Sequence, residues 1–178
     1  MEVYIMRNLL VVVDMQKDFI DGSLGTKEAV AIVDHVVAEI KKYDTKDIFA
    51  TRDTHPENYL ETQEGKNLPV VHCVKCTGGW EINAKVKEAL KDAVVIDKPT
   101  FGSKILAEEI AKIAEKEDIT VTLIGLCTDI CVVSNALLIK AYLPEVPVKV
   151  IASCCAGVTP ESHEAALTTM RMCQVQVE

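Results

Sequence analysis

The sequence predicts an α/β fold: one domain, residues 1–178, in a three-layer α/β/α arrangement with a mainly parallel, doubly wound sheet of five or six strands. Three observations predict it. Apolar runs of strand length alternate with stretches of helical periodicity along the chain. The runs are continuously apolar rather than alternating, as in strands covered on both faces. Apolar residues make up 49% of 178, enough for one sizeable core.

Each element follows in order. Residues 8–13 (NLLVVV) form the first strand, ended by Asp14. Residues 28–42 form a helix, because Ala29, Ile32, Val33, Val36, Val37 and Ile40 recur on one face. Residues 47–51 (DIFAT) form the second strand. Positions 52–79 are polar, turn-rich and without periodicity, and so long a stretch inside a compact domain is usually functional. Helical spacing resumes at Ile82, Val86 and Leu90, and residues 93–97 (AVVID) form a third strand. Residues 103–117 form a helix whose stripe is Leu106, Ile110 and Ile113. Residues 119–125 (ITVTLIG) form a fourth strand, and a helix follows with Thr128 as its expected N-cap. Residues 146–153 are a fifth strand. Thr159 and Pro160 open a last helix, an N-cap residue followed by proline at the first helical position. Residues 173–177 are a final edge strand.

The net charge of −8 argues against nucleic-acid binding. No apolar run approaches membrane-spanning length, and no signal-peptide pattern opens the chain, so a cytoplasmic protein is expected. Seven cysteines, an odd number in a chain of this size, fit reduced thiols better than a disulfide framework.

Sites in parallel α/β sheets form at the carboxyl ends of the strands. Asp14, Asp53 and Lys98 fall at the ends of the first three strands, and Cys131 lies just past the fourth. A cysteine in the first turn of a helix has its thiolate favoured by unpaired N–H groups and the helix dipole. Asp14 could take the thiol proton and Lys98 could pair with Asp14. Backbone N–H groups near Cys127 and Cys131 could bind an oxyanion. The alternative, that these residues end strands or pack, holds for each alone and weakens when all four share one edge. In the long segment, Asp53-Thr54-His55, then Glu64, then His72 can converge on one divalent ion, with donors suited to zinc, manganese or iron. Cys73 and Cys76 invite a competing zinc-knuckle or redox reading, but no second pair has matching spacing and the motif does not open a helix. His35 reads as solvated, and His163 as structural or surface.

Three segments, 14–19 (DMQKDF), 98–102 (KPTFG) and 125–132 (GLCTDICV), resemble in order the signatures of the isochorismatase-like cysteine hydrolases, and in particular the nicotinamidase branch. The resemblance implies a catalytic triad of Asp14, Lys98 and Cys131, and a cis peptide at Leu126–Cys127. It also implies a metal held by Asp53, His55 and His72, zinc first. Glu64 matches a glutamate that some members use as a further ligand, while Glu61 stands where many have another histidine. The activity implied is hydrolysis of nicotinamide to nicotinate, a step of NAD salvage, or of another small amide or carbamoyl compound. Isochorismatases proper fit less well, since that branch lacks the cysteine and this metal set. Phe19 is expected to wall the ring, and self-association into a homo-oligomer is implied. Leu68 occupies the place of the branch's ring-stacking tryptophan, Cys76 replaces a usual glycine, and Trp80 is the neighbouring aromatic that could stack instead. A different class remains open: a thiol- or metal-binding protein without turnover.

Overall fold

In the computed structural model, which describes residues 6–178, the strands are β1 (Arg7–Val13), β2 (Ile48–Asp53), β3 (Val94–Lys98), β4 (Ile119–Leu126), β5 (Val148–Ala156) and β6 (Gln176–Val177). The first five positions of the expected 1–178 domain lie outside the described residues. Every pairing among these strands is parallel, in the order β3-β2-β1-β4-β5-β6. The helices are α1 (Lys17–Ile20), α2 (Lys27–Ile40), α3 (Gln63–Asn67), α4 (Ala84–Leu90), α5 (Lys104–Ala114), α6 (Val133–Tyr142) and α7 (Pro160–Met172). No described helix is long and apolar enough to cross a membrane.

The strands are apolar throughout because the sheet has two covered faces. Along β1, Leu10 and Val12 join the core beneath α1, α2 and α4, whereas Leu9, Val11 and Val13 join the core beneath α5, α6 and α7. The predicted stripe of α2 is the buried one, with Ala29, Ile32, Val33, Val36 and Ile40 inside and Val37 partly buried. Each of its large aliphatic side chains contributes about 1.5–3 kcal/mol by leaving water. Thr26 caps this helix, accepting from the Ala29 N–H at 3.0 Å. Thr159 caps α7 in a reciprocal pair with Ser162, with proline next, as its sequence signals.

The sheet reverses direction of winding between β1 and β4, which pair from Arg7↔Ile119 to Val13↔Gly125. Gly125 is obligatory there. Its φ of +117° is unfavourable for side-chain-bearing residues, and an added Cβ would lie 2.1 Å from the Val13 carbonyl oxygen.

Three expectations are corrected. β2 and β3 run one or two residues further than their apolar runs, so Asp53 and Lys98 are register partners inside the ladder rather than residues beyond it. The aperiodic segment after β2 holds the short helix α3 and a 3₁₀ turn at Tyr59–Glu61. Thr128 is not an N-cap. Cys127 takes that position with extended backbone, Thr128–Val132 form a π-helical turn closed by Val132 N–H to Cys127 O at 3.0 Å, and α6 continues from it. The Thr128 hydroxyl is instead paired with His163 Nδ1 at 2.8 Å.

Candidate active site

The switch between β1 and β4 gathers the predicted residues. Asp14 leaves β1 with φ 44°, a left-handed conformation that aspartate tolerates. Its N–H donates to Thr51 O at 3.2 Å, and Thr51 Oγ1 donates to Asp14 Oδ1 at 2.7 Å. Lys98, wholly buried, brings its Nζ to 2.6 Å from Asp14 Oδ2 and 3.4 Å from Asp53 Oδ1. The same ammonium donates to Thr100 O at 3.0 Å and to Cys131 Sγ at 3.4 Å. The amine, the acid and the sulfur therefore share one buried cluster, as their positions at the strand ends imply.

The charges of this cluster are set by burial and by one another. Burial pulls the Lys98 pKa down, but Asp14, Cys131 and Asp53 outweigh it and hold the amine charged. Burial raises the Asp14 pKa, with Lys98 opposing. It also raises that of the Cys131 thiol, with Asp14 adding and Lys98 opposing. Burial and the adjacent carboxylate therefore oppose the thiolate that the helical turn and Lys98 favour. The peptide Leu126–Cys127 is cis, as expected.

Beside this cluster lies a second one. Donor atoms of Asp53, His55, Glu64 and His72 all fall within 4.8 Å of one another. His55 Nε2 is 2.9 Å from Asp53 Oδ2 and 3.5 Å from Glu64 Oε1, and His72 Nε2 is 3.7 Å and 3.8 Å from the same two oxygens. Ligand bonds of about 2.0–2.2 Å place adjacent donors about 2.8–3.6 Å apart, so two of these distances fall in that range and the His72 pair would close by a few tenths of an ångström around a small divalent ion. Two further observations fit. His72 Nδ1 donates to Val70 O at 2.8 Å, which turns Nε2 toward the cluster with its lone pair. His55 Nε2 is buried without an aligned hydrogen-bond partner. Glu64, ambiguous by sequence, stands with the other three.

The His55 pKa is raised: burial lowers it, but contact with Asp53 and the charge of Glu64 more than compensate. A bound ion has to displace that proton. Zinc titrated into chelator-treated protein is therefore expected to bind at one ion per chain, with affinity falling as pH drops from about 8 to about 6. Calorimetry in buffers of different ionisation enthalpy measures the proton released. Unchanged affinity across that range would remove His55 from the ligand set.

Both clusters open on one cleft of about 430 Å³. Phe19, Leu24, Leu68, Phe101 and Ile130 supply its apolar wall, while Cys127, Cys131, Asp53, Glu64 and His72 reach its floor. Phe19 thus lies where expected. Trp80 does not: it is buried away from the cleft, donating to Thr54 Oγ1 at 2.8 Å with Arg52 stacked 3.4 Å over its ring. The competing cysteine motif also resolves. Cys73 is buried and its N–H donates to Asp18 Oδ2 at 2.8 Å, while Cys76 is exposed, and both are free thiols. Burial pushes the Cys73 thiol far up. His35 is exposed, with Nδ1 3.0 Å from Ser153 O.

Sequence reasoning missed Gln16. Its amide donates to Asp53 O at 2.8 Å and Trp80 O at 2.9 Å and accepts from Asp53 N–H at 2.7 Å, so it fixes the backbone of a residue shared by both clusters. The available signal was its place two residues after Asp14.

A sequence profile of the Isochorismatase domain matches residues 8–178. The chain belongs to the isochorismatase family of hydrolases. Among solved structures, this isochorismatase-family chain is similar to the pyrazinamidase of Pyrococcus horikoshii in complex with zinc, at 30% identity and a TM-score of 0.82, covering 97% of this chain and 98% of that one. It is similar to the pyrazinamidase/nicotinamidase of Streptococcus mutans, at 27% identity and a TM-score of 0.80, covering 96% and 99%. The nicotinamidase of Staphylococcus aureus aligns at 26% identity and a TM-score of 0.73, covering 98% and 99%. None of the curated proteins compared matches significantly in sequence.

Proposed function

We propose that this chain is a metal-dependent cysteine amidohydrolase that converts nicotinamide to nicotinate and ammonia through a thioester on Cys131. The observation that carries the reading is the buried Lys98 ammonium, 2.6 Å from Asp14 and 3.4 Å from Cys131, on the same cleft as four convergent metal donors. The activities and the zinc of the similar structures support it.

The steps follow from the geometry. Asp14 removes the proton from Cys131 Sγ as the sulfur forms its bond to the amide carbon. Lys98 stays charged and offsets the negative charge moving between carboxylate and sulfur. N–H groups of Cys127 and Cys131 take the developing oxyanion. Asp14 returns the proton to the departing nitrogen, the C–N bond breaks and ammonia leaves. A water gives its proton to Asp14 and adds to the thioester carbon. The C–S bond then breaks, the sulfur regains a proton, and the carboxylic acid is released. Asp53, His55, Glu64 and His72 would hold the ion, which supplies a Lewis acid to orient a heteroaromatic nitrogen. Phe19 and Phe101 flank a planar ring.

One observation keeps a second reading in play. Leu68, not a tryptophan, faces the cleft, and Trp80 is turned elsewhere. A different small amide or carbamoyl compound is the alternative substrate.

Ammonia release from nicotinamide, before and after chelation and zinc return, tests the reading. Release that zinc restores supports it. No release from nicotinamide, with turnover of another amide in a screen, shifts the substrate to the alternative. The pH dependence adds a check. Asp14 has to be ionised to accept a proton, and its pKa lies above the ordinary carboxylate value. Activity is therefore lost as pH falls, with the acid limb of kcat/KM centred above about 4. The limb belongs to the coupled cluster rather than to Asp14 alone. A limb at or below an ordinary aspartate value would rule out a buried carboxylate as the base.

A further inference from the structure

The loop after β3 and the nucleophile turn after β4 come from different strands, yet both line the cleft, through Thr100 and Phe101 on one side and Cys127, Ile130 and Cys131 on the other. One side chain joins them. Asn135, on α6 and fully buried, donates from Nδ2 to Cys131 O at 2.8 Å and to Phe101 O at 3.1 Å. Its Oδ1 accepts from the Ser103 N–H at 2.9 Å. The planar amide satisfies one acceptor on the nucleophile residue and both a donor and an acceptor on the loop. Gly102 completes the seat: a Cβ built on it would stand 3.5 Å from Ser134 O and 3.4 Å from Leu138 Cδ2, so the loop lies close against α6.

We propose that Asn135 is a positioning residue that fixes the spacing between the Phe101 wall of the cleft and Cys131, and so governs how tightly the substrate ring is held against the nucleophile. It touches no reacting atom. The kinetic form of the proposal rests on the amidohydrolase reading above; its structural form does not.

The two halves of the link can be separated by substitution. A threonine at a helical position can donate its hydroxyl to the carbonyl one turn earlier, which at this site is that of Cys131. It is too short to reach Phe101 O and Ser103 N–H as well. Asn135→Thr therefore keeps the nucleophile turn and frees the loop, whereas Asn135→Ala releases both. Asn135→Thr is expected to raise KM for nicotinamide at least about fivefold with kcat within about twofold of wild type. Asn135→Ala is expected to lower kcat about tenfold or more as well. Amide hydrogen exchange gives a readout that needs no substrate. In Asn135→Thr, exchange at positions 101–103 is expected to rise at least about tenfold while positions 128–133 stay protected. In Asn135→Ala both segments are expected to lose protection.

If Asn135→Ala fails to fold, Asn135→Thr decides alone. Unchanged KM, or loop exchange as slow as in wild type, overturns the proposal. Equal effects of Asn135→Thr on kcat and KM also overturn it, because they mean the loop and the turn were never set independently. If wild type does not hydrolyse nicotinamide, the substrate reading fails by itself, and exchange still decides the role of Asn135.

Discussion

Cys131→Ala is expected to lower ammonia release from nicotinamide by about 10⁴-fold or more while the protein stays folded. The substitution removes the only sulfur placed against the Lys98 ammonium among the described residues. Cys127 also lines the cleft, but the ammonium of Lys98 donates to the sulfur of Cys131 and not to that of Cys127. The Asp14–Lys98 ion pair stays in place, and the cavity left by one buried sulfur costs about 1 kcal/mol. Loss of activity with a thermal midpoint within a few degrees of wild type therefore isolates chemistry from stability. Near wild-type release would move the nucleophile elsewhere and end the thioester reading.

Lys98→Met should be the most destabilising single change at the site. Among the described residues, Lys98 is the one lysine or arginine facing both Asp14 at 2.6 Å and Asp53 at 3.4 Å, and all three side chains are buried. Removing one partner of a buried pair leaves an uncompensated charge, a loss of about 3–5 kcal/mol. Replacing both partners with neutral groups of similar shape often costs far less. Asp14→Asn combined with Lys98→Met is accordingly expected to recover at least about half of the stability lost by Lys98→Met alone. Urea titrations of the four proteins, wild type, both single variants and the double, form the cycle that measures it. Additive losses would show that the pair is not coupled in the folded state.

Much of the fold was legible because its signals are local. Continuous apolar runs gave the strands, and the 3.6-residue stripes of α2 and α5 gave the faces that are in fact buried. Strand ends were less legible: apolarity stops before Asp53 and Lys98, but the hydrogen-bond ladder carries them as paired residues. That Asp14, Lys98 and Cys131 cluster, and that Asp53, His55, Glu64 and His72 do so beside them, could be anticipated because α/β sheets put chemistry at one edge, and because the quoted motifs narrowed the choice. The upward push on the Cys131 thiol was not legible. Burial opposes the helical turn there, and burial is a property of the whole core rather than of the residues around Cys131. Gln16, Asn135 and the Thr128–His163 pair escaped for a related reason. Each makes at least one hydrogen bond to a partner more than 30 positions away in the chain, which no periodicity encodes. The role of Trp80 stayed open in the sequence because proximity along the chain says nothing about which way a side chain turns.

Asp53 points one oxygen toward the two imidazoles and the other toward the Lys98 ammonium. Filling the metal seat and holding the amine protonated thus draw on a single negative charge. Whatever withdraws electron density at one oxygen weakens the hold at the other, and thermodynamic reciprocity requires the effect to run both ways. On the proposed reading, an ion in that seat would do more than anchor a ring: its occupancy would also tune the proton affinity of the acid and sulfur beside it.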